Sequence, residues 1–430
     1  LETIYQNNNG KIIHSDNLEA MKEIEDNSVD SCVSDFPYNL SFMGKNWDTT
    51  SNFYDWCRER AIGLQRIIKP GGYVCIFGHP KTNHRMKCAF EDVGFNIVEE
   101  IDWVYLSGFP KNQDIGKLFD KKAGVEREVL GVNSNSRDKQ QPEDNLYHLG
   151  VKGKIDYITE PLTDLAKTWD GWKTSGLKPA HEPITIFQKP LEGTYIQNIE
   201  KWNCGAMNID ACRVGFKNDN DLNTVKAKCN FTENSKSIGF GTTDTIYGTG
   251  STPLEQAKEC VNTDGRFPPN IILDQYTAEI LDEQTGISKS SGGSGDKSKG
   301  ALGKSIFGEY KNEEHAEHAG GLGDVGGGSR IFPIIKYCTK VSPKERLLPN
   351  GERNPHVTLK PKELIKWLIK LVTPIDGTTI DITAGSCTHS VAVEELNRDE
   401  KYNLKWINIE MMNTEKEPYC DVGKMRVEGL

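Results

Sequence analysis

Apolar and polar positions alternate along this chain with two periods. KIIHSD (11–16) is a short apolar run that closes on an acid, and NLEAMKEI after it has helical spacing. NSVDSCVSDF then reads as a strand ending in Asp35-Phe36-Pro37-Tyr38. Over 53–68, Trp56, Ile62, Leu64, Ile67 and Ile68 recur at intervals that predict an amphipathic helix, and Lys69-Pro70-Gly71-Gly72 stops it. YVCIFG reads as a buried strand, RMKCAFEDVGF as a helix and NIVEEIDWVYL as a strand. This alternation predicts an α/β fold with a mostly parallel sheet. Residues 110–150 read as a polar loop, and a strand returns at PITIFQKP (183–190). The pattern is irregular from there to about residue 330. Within it, 284–329 is rich in Gly, Ser and Lys; such composition cannot bury enough apolar area to offset chain entropy, which predicts a mobile segment. The α/β pattern then resumes: a helix over 362–372 with Leu364, Ile365, Leu368 and Leu371 on one face, a strand TTIDI, a loop TAGSCT, a helix SVAVEELN and a strand LKWINIE. The expected divisions are 1–192, 193–330 and 331–430.

Composition narrows the class. The 430 residues, 36% of them hydrophobic, allow a packed core, and at ~150 residues per domain they predict two or three units or one domain with a large insertion. No run approaches the ~18 apolar residues of a membrane helix, so no membrane is expected as a partner. The opening LETIYQNNNGKIIHSDN has no apolar signal core, which predicts a cytoplasmic protein. Eleven scattered cysteines without a C-x-x-C fit a reducing compartment, and predict neither a disulfide scaffold nor a cysteine-built metal site. A net charge of -10 argues against non-specific coating of nucleic acid. The stretch 331–376 nevertheless carries nine Lys/Arg against four acids, which reads as a solvated helix face or as a phosphate-facing rim.

Two segments carry candidate chemistry. In 378–410 a strand ends in Asp381, a small-residue loop (Thr383, Ala384, Gly385, Ser386) follows, then a helix and a strand ending in Glu410. Small residues let a cofactor approach the backbone, and the acid can take ribose hydroxyls. The loop lacks G-x-G-x-x-G, so a nucleoside without phosphates fits better than a dinucleotide; an ordinary βαβ unit has the same pattern. Asp35-Phe36-Pro37-Tyr38 ends another strand, where open α/β sheets bind ligands. A carboxylate and a main-chain carbonyl can accept both hydrogens of an exocyclic amine while a tyrosine ring stacks on the base; a plain strand-to-turn junction is the bland alternative. His181-Glu182 before an apolar strand reads as structural. Trp169 and Trp172 read as packing or base-stacking residues, and His315 and His318 as solvated.

DFPY (35–38) with its lead-in IIHSDNLEAMKEIEDNSVDSCVSD resembles the D-P-P-Y motif of amino-group DNA methyltransferases. NPHVTLKPKELIKWLIKLVTPIDGTTIDITAGSCTHSVAVEEL (354–396) resembles that family's cofactor segment, H-P-T-x-K-P followed by D-P-F-x-G-S-G-T, and INIE (407–410) its acidic strand end. GFPKNQDIGKLFDKKAG, LKPAHEPITIFQKPL, GAMNIDACRV and IIKYCTKVSPKER look like phage and prophage adenine methyltransferases of this group. The catalytic motif precedes the cofactor motif, which resembles the β arrangement. The resemblance implies a Rossmann-like methyltransferase sheet with helices on both faces, interrupted by a target recognition region in 193–330. It implies S-adenosylmethionine as cofactor, double-stranded DNA as partner, and transfer of a methyl group to N6 of a flipped-out adenine. Asp35 and the Phe36 carbonyl would accept from the amine, with Pro37 and Tyr38 shaping the base pocket. Asp16, Thr358, Lys360, Asp381, Thr383, Ala384, Gly385, Ser386, Thr388 and Glu410 would form the cofactor site. Homodimers and restriction partners occur among such enzymes, and the resemblance decides neither here. Three departures stand out: Phe36 for the first proline, Ile382-Thr383 for Pro-Phe, and Cys387 for the second glycine, where a positive φ would cost a side chain ~1 kcal/mol or more. N4 of cytosine is the nearest alternative target, although those enzymes more often have serine in place of Asp35. A DNA-binding relative with impaired catalysis is the alternative from another class.

Overall fold

The computed structural model of the chain describes residues 1–41, 44, 46–106, 108, 112–132, 157–216, 264–289, 325–335 and 344–430. They divide into two compact units, 1–206 with 337–430 and 207–336. Most of the segment expected to be mobile, with His315 and His318, lies outside the described residues.

The first unit is built on strands β1 (Glu2–Gln6), β2 (Gly10–His14), β3 (Val29–Asp35), β4 (Ile68–Phe77), β5 (Asn96–Val104), β8 (His181–Gln188), β13 (Thr378–Asp381) and β14 (Lys405–Glu410), with a separate hairpin of β6 (Val129–Val132) and β7 (Tyr157–Thr159). The sheet order is β1-β2-β14-β13-β3-β4-β8-β5. Strands β2, β14, β13, β3 and β4 are parallel, while β1, β8 and β5 join antiparallel. Every residue of β3 from Val29 to Ser34 is buried, and so are adjacent Ile12 and Ile13 of β2. Successive strand residues point to opposite faces, so burial of both requires helices on both faces, as a parallel sheet demands. On one face, Cys57, Ala61, Leu64 and Ile67 of the helix Phe53–Ile67 join Ile13, Cys32, Val74 and Ile76 in one apolar cluster. On the other, the helix Lys362–Val372 buries Leu364, Ile365, Leu368 and Leu371, and Thr373 at its end bonds Ser31 of β3 (2.7 Å).

Several elements differ from the expectation. Lys69-Pro70-Gly71-Gly72 does end a helix, but the chain enters β4 at Ile68. The stretch 110–150 contains a helix, Ile115–Ala123, started by the Asp114 cap on the Lys117 amide (2.8 Å) and ended by left-handed Gly124. Past residue 193 lies a helix Tyr195–Trp202 with a Thr194/Gln197 capping box. These caps are polar side-chain signals that apolar periodicity does not register. The 331–376 cations are largely paired within the fold: Lys362 and Lys366 with Glu395, Lys370 with Glu400 and Lys360 with Asp35, while Arg346 donates to the His356 carbonyl. Trp169 and Trp172 form an exposed edge-to-face pair (5.1 Å).

In the second unit, β9 (Ile271–Asp274) runs parallel to β12 (Ile334–Ile335), and β10 (Ser288–Lys289) antiparallel to β11 (Val325–Gly326). Asp274 caps the helix Gln275–Thr285 through the Thr277 amide (2.6 Å). Among the described residues no helix is long and apolar enough to cross a membrane.

Candidate active site

Chain direction across the sheet reverses between β13 and β3. From β13 the chain passes through the helix Thr388–Glu400 to β14 on one side; from β3 it passes through Phe53–Ile67 to β4 on the other. The carboxyl ends flanking such a reversal form a crevice where open α/β sheets bind ligands. Asp381 ends β13 and Asp35 ends β3 at that crevice, and Glu410 ends β14 one strand further on. The ends are stitched together: Ser34 Oγ donates to Asp381 Oδ1 (2.6 Å), and Thr383 Oγ1 donates to the Asp35 carbonyl (3.0 Å).

At Asp35 the two carboxylate oxygens differ. Lys360 Nζ lies 2.6 Å from Oδ2, whereas Oδ1 is buried and has no hydrogen-bond partner among the described residues. Burial raises the Asp35 carboxyl above its ordinary range, against the pull of Lys360. Burial alone would lower the Lys360 amine, but Asp35 and Glu182 outweigh it and hold it above its usual value. Phe36 turns inward, edge-on to Trp56 (5.2 Å) and 2% exposed, so the residue standing for the motif's first proline serves the core. Pro37 and Tyr38 remain half-buried, and the Tyr38 hydroxyl donates to Glu182 Oε2 (3.0 Å).

The small-residue loop is held from below. Glu410 accepts the Gly385 amide on Oε2 (2.6 Å) and the Met412 amide on Oε1 (2.7 Å); the Ala384 amide bonds the Ile409 carbonyl (3.0 Å). Gly385 has φ +52°, and a Cβ there would lie 2.5 Å from His356 Nε2, so glycine is required twice over. Cys387 takes φ +61° with its side chain fully buried. Burial pushes Asp381 and Glu410 up to about 7 each; Asp35 raises Asp381 further, and Asp381 raises Glu410. Two buried, easily protonated acids beside an open backbone turn suit a ligand with positive charge and hydroxyl donors.

The other expected cofactor residues fall into two groups. Asp16 caps the helix Asn17–Lys22 through the Leu18 amide (2.8 Å) and faces the Arg60 guanidinium (3.7 Å), just past the end of β2. Thr358 is half-buried in a turn. Ser386 and Thr388 turn away from the crevice: Arg426 of the C-terminal helix takes the Ser386 carbonyl (2.6 Å) and the Thr388 hydroxyl (3.0 Å). Lys360, expected beside the cofactor, has its amine on Asp35 at the same crevice (2.6 Å). Glu182 and His356 were not anticipated as site residues. Glu182, 7% exposed at the start of β8, accepts from Tyr38 and from Tyr105 (2.9 Å). A carboxylate near the start of a buried, largely apolar strand was the available signal. His356 is held neutral, pushed down to about 3 by burial, with Lys360 and two arginines contributing.

The geometry can be set beside known proteins. A family model for DNA methylase of the N6/N4 group matches residues 29–420. The type II methyltransferase M.HindIII of Haemophilus influenzae is 21% identical over 238 residues, 46% of this chain and 64% of that protein. M.HpaI of Haemophilus parainfluenzae is 32% identical over 117 residues, 26% of this chain and 36% of that protein. The chain thus spans less than two thirds of the length of these curated relatives. Among solved structures, the PvuII cytosine-N4-specific DNA methyltransferase aligns with 13% identity and a TM-score of 0.43, covering 100% of this chain and 96% of that one. The M1.HpyAVI–SAM complex aligns with 12% identity and a TM-score of 0.36, covering 97% and 99%. The family match spans both the strand end that carries Asp35 and the strand ends that carry Asp381 and Glu410, and by it the chain belongs to the N6/N4 DNA methylase family.

Proposed function

We propose that this protein transfers a methyl group from S-adenosylmethionine to the N6 amino group of a flipped-out adenine in double-stranded DNA. The observation that carries the reading is Asp35: one oxygen anchored by Lys360, the other buried and unpartnered among the described residues at the crevice. The cofactor supplies an electrophilic methyl group. The exocyclic amine is a weak nucleophile because its lone pair is delocalised into the ring, and attack requires the nitrogen to rehybridise toward sp3. Asp35 Oδ1 and the Phe36 carbonyl accept its two N–H bonds and stabilise the charge that develops there, so they favour the transition state over the ground state. Tyr38 stacks on the base, worth roughly 1–3 kcal/mol. A base inside a duplex cannot reach such a pocket, so it must leave the stack.

The cofactor fits the residues present. Asp381 and Glu410, raised by burial, gain from a cationic ligand, and the Thr383–Gly385 backbone offers close approach. Asp16, Thr358 and Lys360 flank the same crevice by resemblance; Ser386 and Thr388 support the loop through Arg426. We assign target recognition to 193–330. Aspartate rather than serine at position 35 favours adenine over cytosine. Incubating duplex DNA with the protein and S-adenosylmethionine, then digesting it to nucleosides for mass spectrometry, tests the reading: N6-methyl-2′-deoxyadenosine is expected, N4-methyl-2′-deoxycytidine would move the target to cytosine, and no methylated nucleoside would reject transfer.

A further inference from the structure

Beyond the residues that would touch base or cofactor, the crevice holds a second buried carboxylate. Glu182 opens β8, two strands from β3, and its oxygens accept from Tyr105 (2.9 Å) and Tyr38 (3.0 Å). Lys360 Nζ stands 3.5 Å from Glu182 Oε2 and 2.6 Å from Asp35 Oδ2, and lies over the Tyr38 and Phe77 rings. One ammonium therefore faces two carboxylates.

That sharing matters for an acceptor. A buried aspartate paired with its own private lysine is neutralised, and its free oxygen is a poor acceptor for an amine gaining positive charge. A shared lysine, with the second carboxylate beside it, leaves the acid more basic toward its open side. We propose that Glu182 is a positioning and charge-tuning residue of the methyl-transfer site: by sharing Lys360 it leaves Asp35 Oδ1 a stronger acceptor for the target amine, and through the Tyr38 hydroxyl it orients the base-stacking ring. The inference rests on the proposed reaction and deepens it. The groups that face Asp35 are Lys360, Glu182, Tyr38 and Asp381; Tyr105 faces Glu182, and His356 lies near Lys360.

Charge sharing predicts an unusual sign in a double-mutant cycle. Glu182→Gln leaves Lys360 wholly to Asp35, and single-turnover transfer falls about ten- to a hundredfold. Lys360→Met leaves two facing carboxylates to share a proton, so transfer falls and the acid limb of its pH profile moves upward. The double variant removes the neutralising cation and the competing anion together, and transfers at least tenfold faster than Lys360→Met. A purely structural role for Glu182 predicts the double variant to be as slow as the worse single variant or slower. Should Glu182→Gln not fold, Glu182→Asp draws the carboxylate back from Lys360 and Tyr38 and must slow transfer and move its acid limb; transfer at the wild-type rate with the limb in place overturns the inference.

A second arm needs neither DNA nor cofactor. In Lys360→Met the facing carboxyls have folded pKa values raised above the unfolded ~4, so their contribution to stability is present at low pH and lost as pH rises. The thermal midpoint of Lys360→Met should fall, relative to wild type, between about pH 5 and pH 8, and the double variant should lessen that fall. Single variants within threefold of wild type, or additive losses with a flat pH difference, overturn the inference while leaving the reaction standing. A wild-type protein that methylates no nucleoside overturns the reaction and this inference together.

Discussion

Cys387 stands where the related motif has glycine, and the backbone there is left-handed, φ +61° and ψ 43°. A side chain in that region costs roughly 1–2 kcal/mol. The cost is offset because the thiol is fully buried against Gly423, where any Cβ would collide with its sulfur. Replacing it by glycine relieves the strain, removes a buried side chain and frees the unfolded chain, terms of similar size and opposite sign. Cys387→Gly is expected to change denaturant stability by no more than about 1 kcal/mol and S-adenosylmethionine affinity by no more than about threefold, read by urea unfolding and calorimetric titration. Gly385 has no such compensation: Gly385→Ala must displace His356 from beneath the loop, and calorimetry should show cofactor affinity weakened at least about tenfold. The acids that matter most are legible in the sequence because each ends a strand: Asp35, Asp381 and Glu410. Direction within a loop is not. Ser386 and Thr388 belong to the motif, yet their oxygens turn to Arg426, and the amine of Lys360 reaches back to Asp35, 325 positions away in the chain. Glu182 joins the site only because β8 is paired beside β4, a fact of sheet order that local spacing does not encode.

At the scale of elements, β13 and β14 with their connecting loop bring Asp381 and Glu410 together, both pushed up to about 7 by burial. Unfolded carboxyls titrate near ~4, so between about pH 4 and pH 7 the folded state binds more protons than the unfolded one. Their contribution to stability is therefore present at low pH and is lost as pH rises through about 7. Relative to wild type, Asp381→Asn should show a shallower loss of stability from about pH 5 to about pH 8, measured by urea unfolding without cofactor; an identical slope would show that Asp381 is ionised throughout. The regular elements around this pair are legible from periodicity: the helix Lys362–Val372 buries the face its apolar spacing predicts. Elements begun by polar caps, Ile115–Ala123 and Tyr195–Trp202, are not, because a cap is one residue of sequence. The edge strand β1 (ETIYQ) is also invisible to an apolar pattern, being mostly exposed.

For the whole molecule, the larger unit is discontinuous in sequence. Strands β13 and β14, from the last hundred residues, sit between β2 and β3 from the first. Residues 1–206 alone would leave β2 and β3 with unpaired edges and the apolar face beneath Lys362–Val372 uncovered, so that fragment should be insoluble or molten by circular dichroism. Co-expression with 337–430 should restore a cooperative unfolding transition; a stable, cooperative 1–206 fragment would contradict this sheet order. Both halves meet at the crevice, where Asp35 comes from one and Lys360, Asp381 and Glu410 from the other. The central claim is that Asp35 is the acceptor that makes an exocyclic amine reactive. It is tested most directly by single-turnover methyl transfer to DNA in wild type and Asp35→Ala, with S-adenosylmethionine affinity measured alongside. An acceptor aimed at developing charge contributes ~3–4 kcal/mol, so the variant should transfer roughly a hundred- to a thousandfold more slowly while binding cofactor within a few-fold of wild type. Transfer by Asp35→Ala within tenfold of wild type would contradict the account.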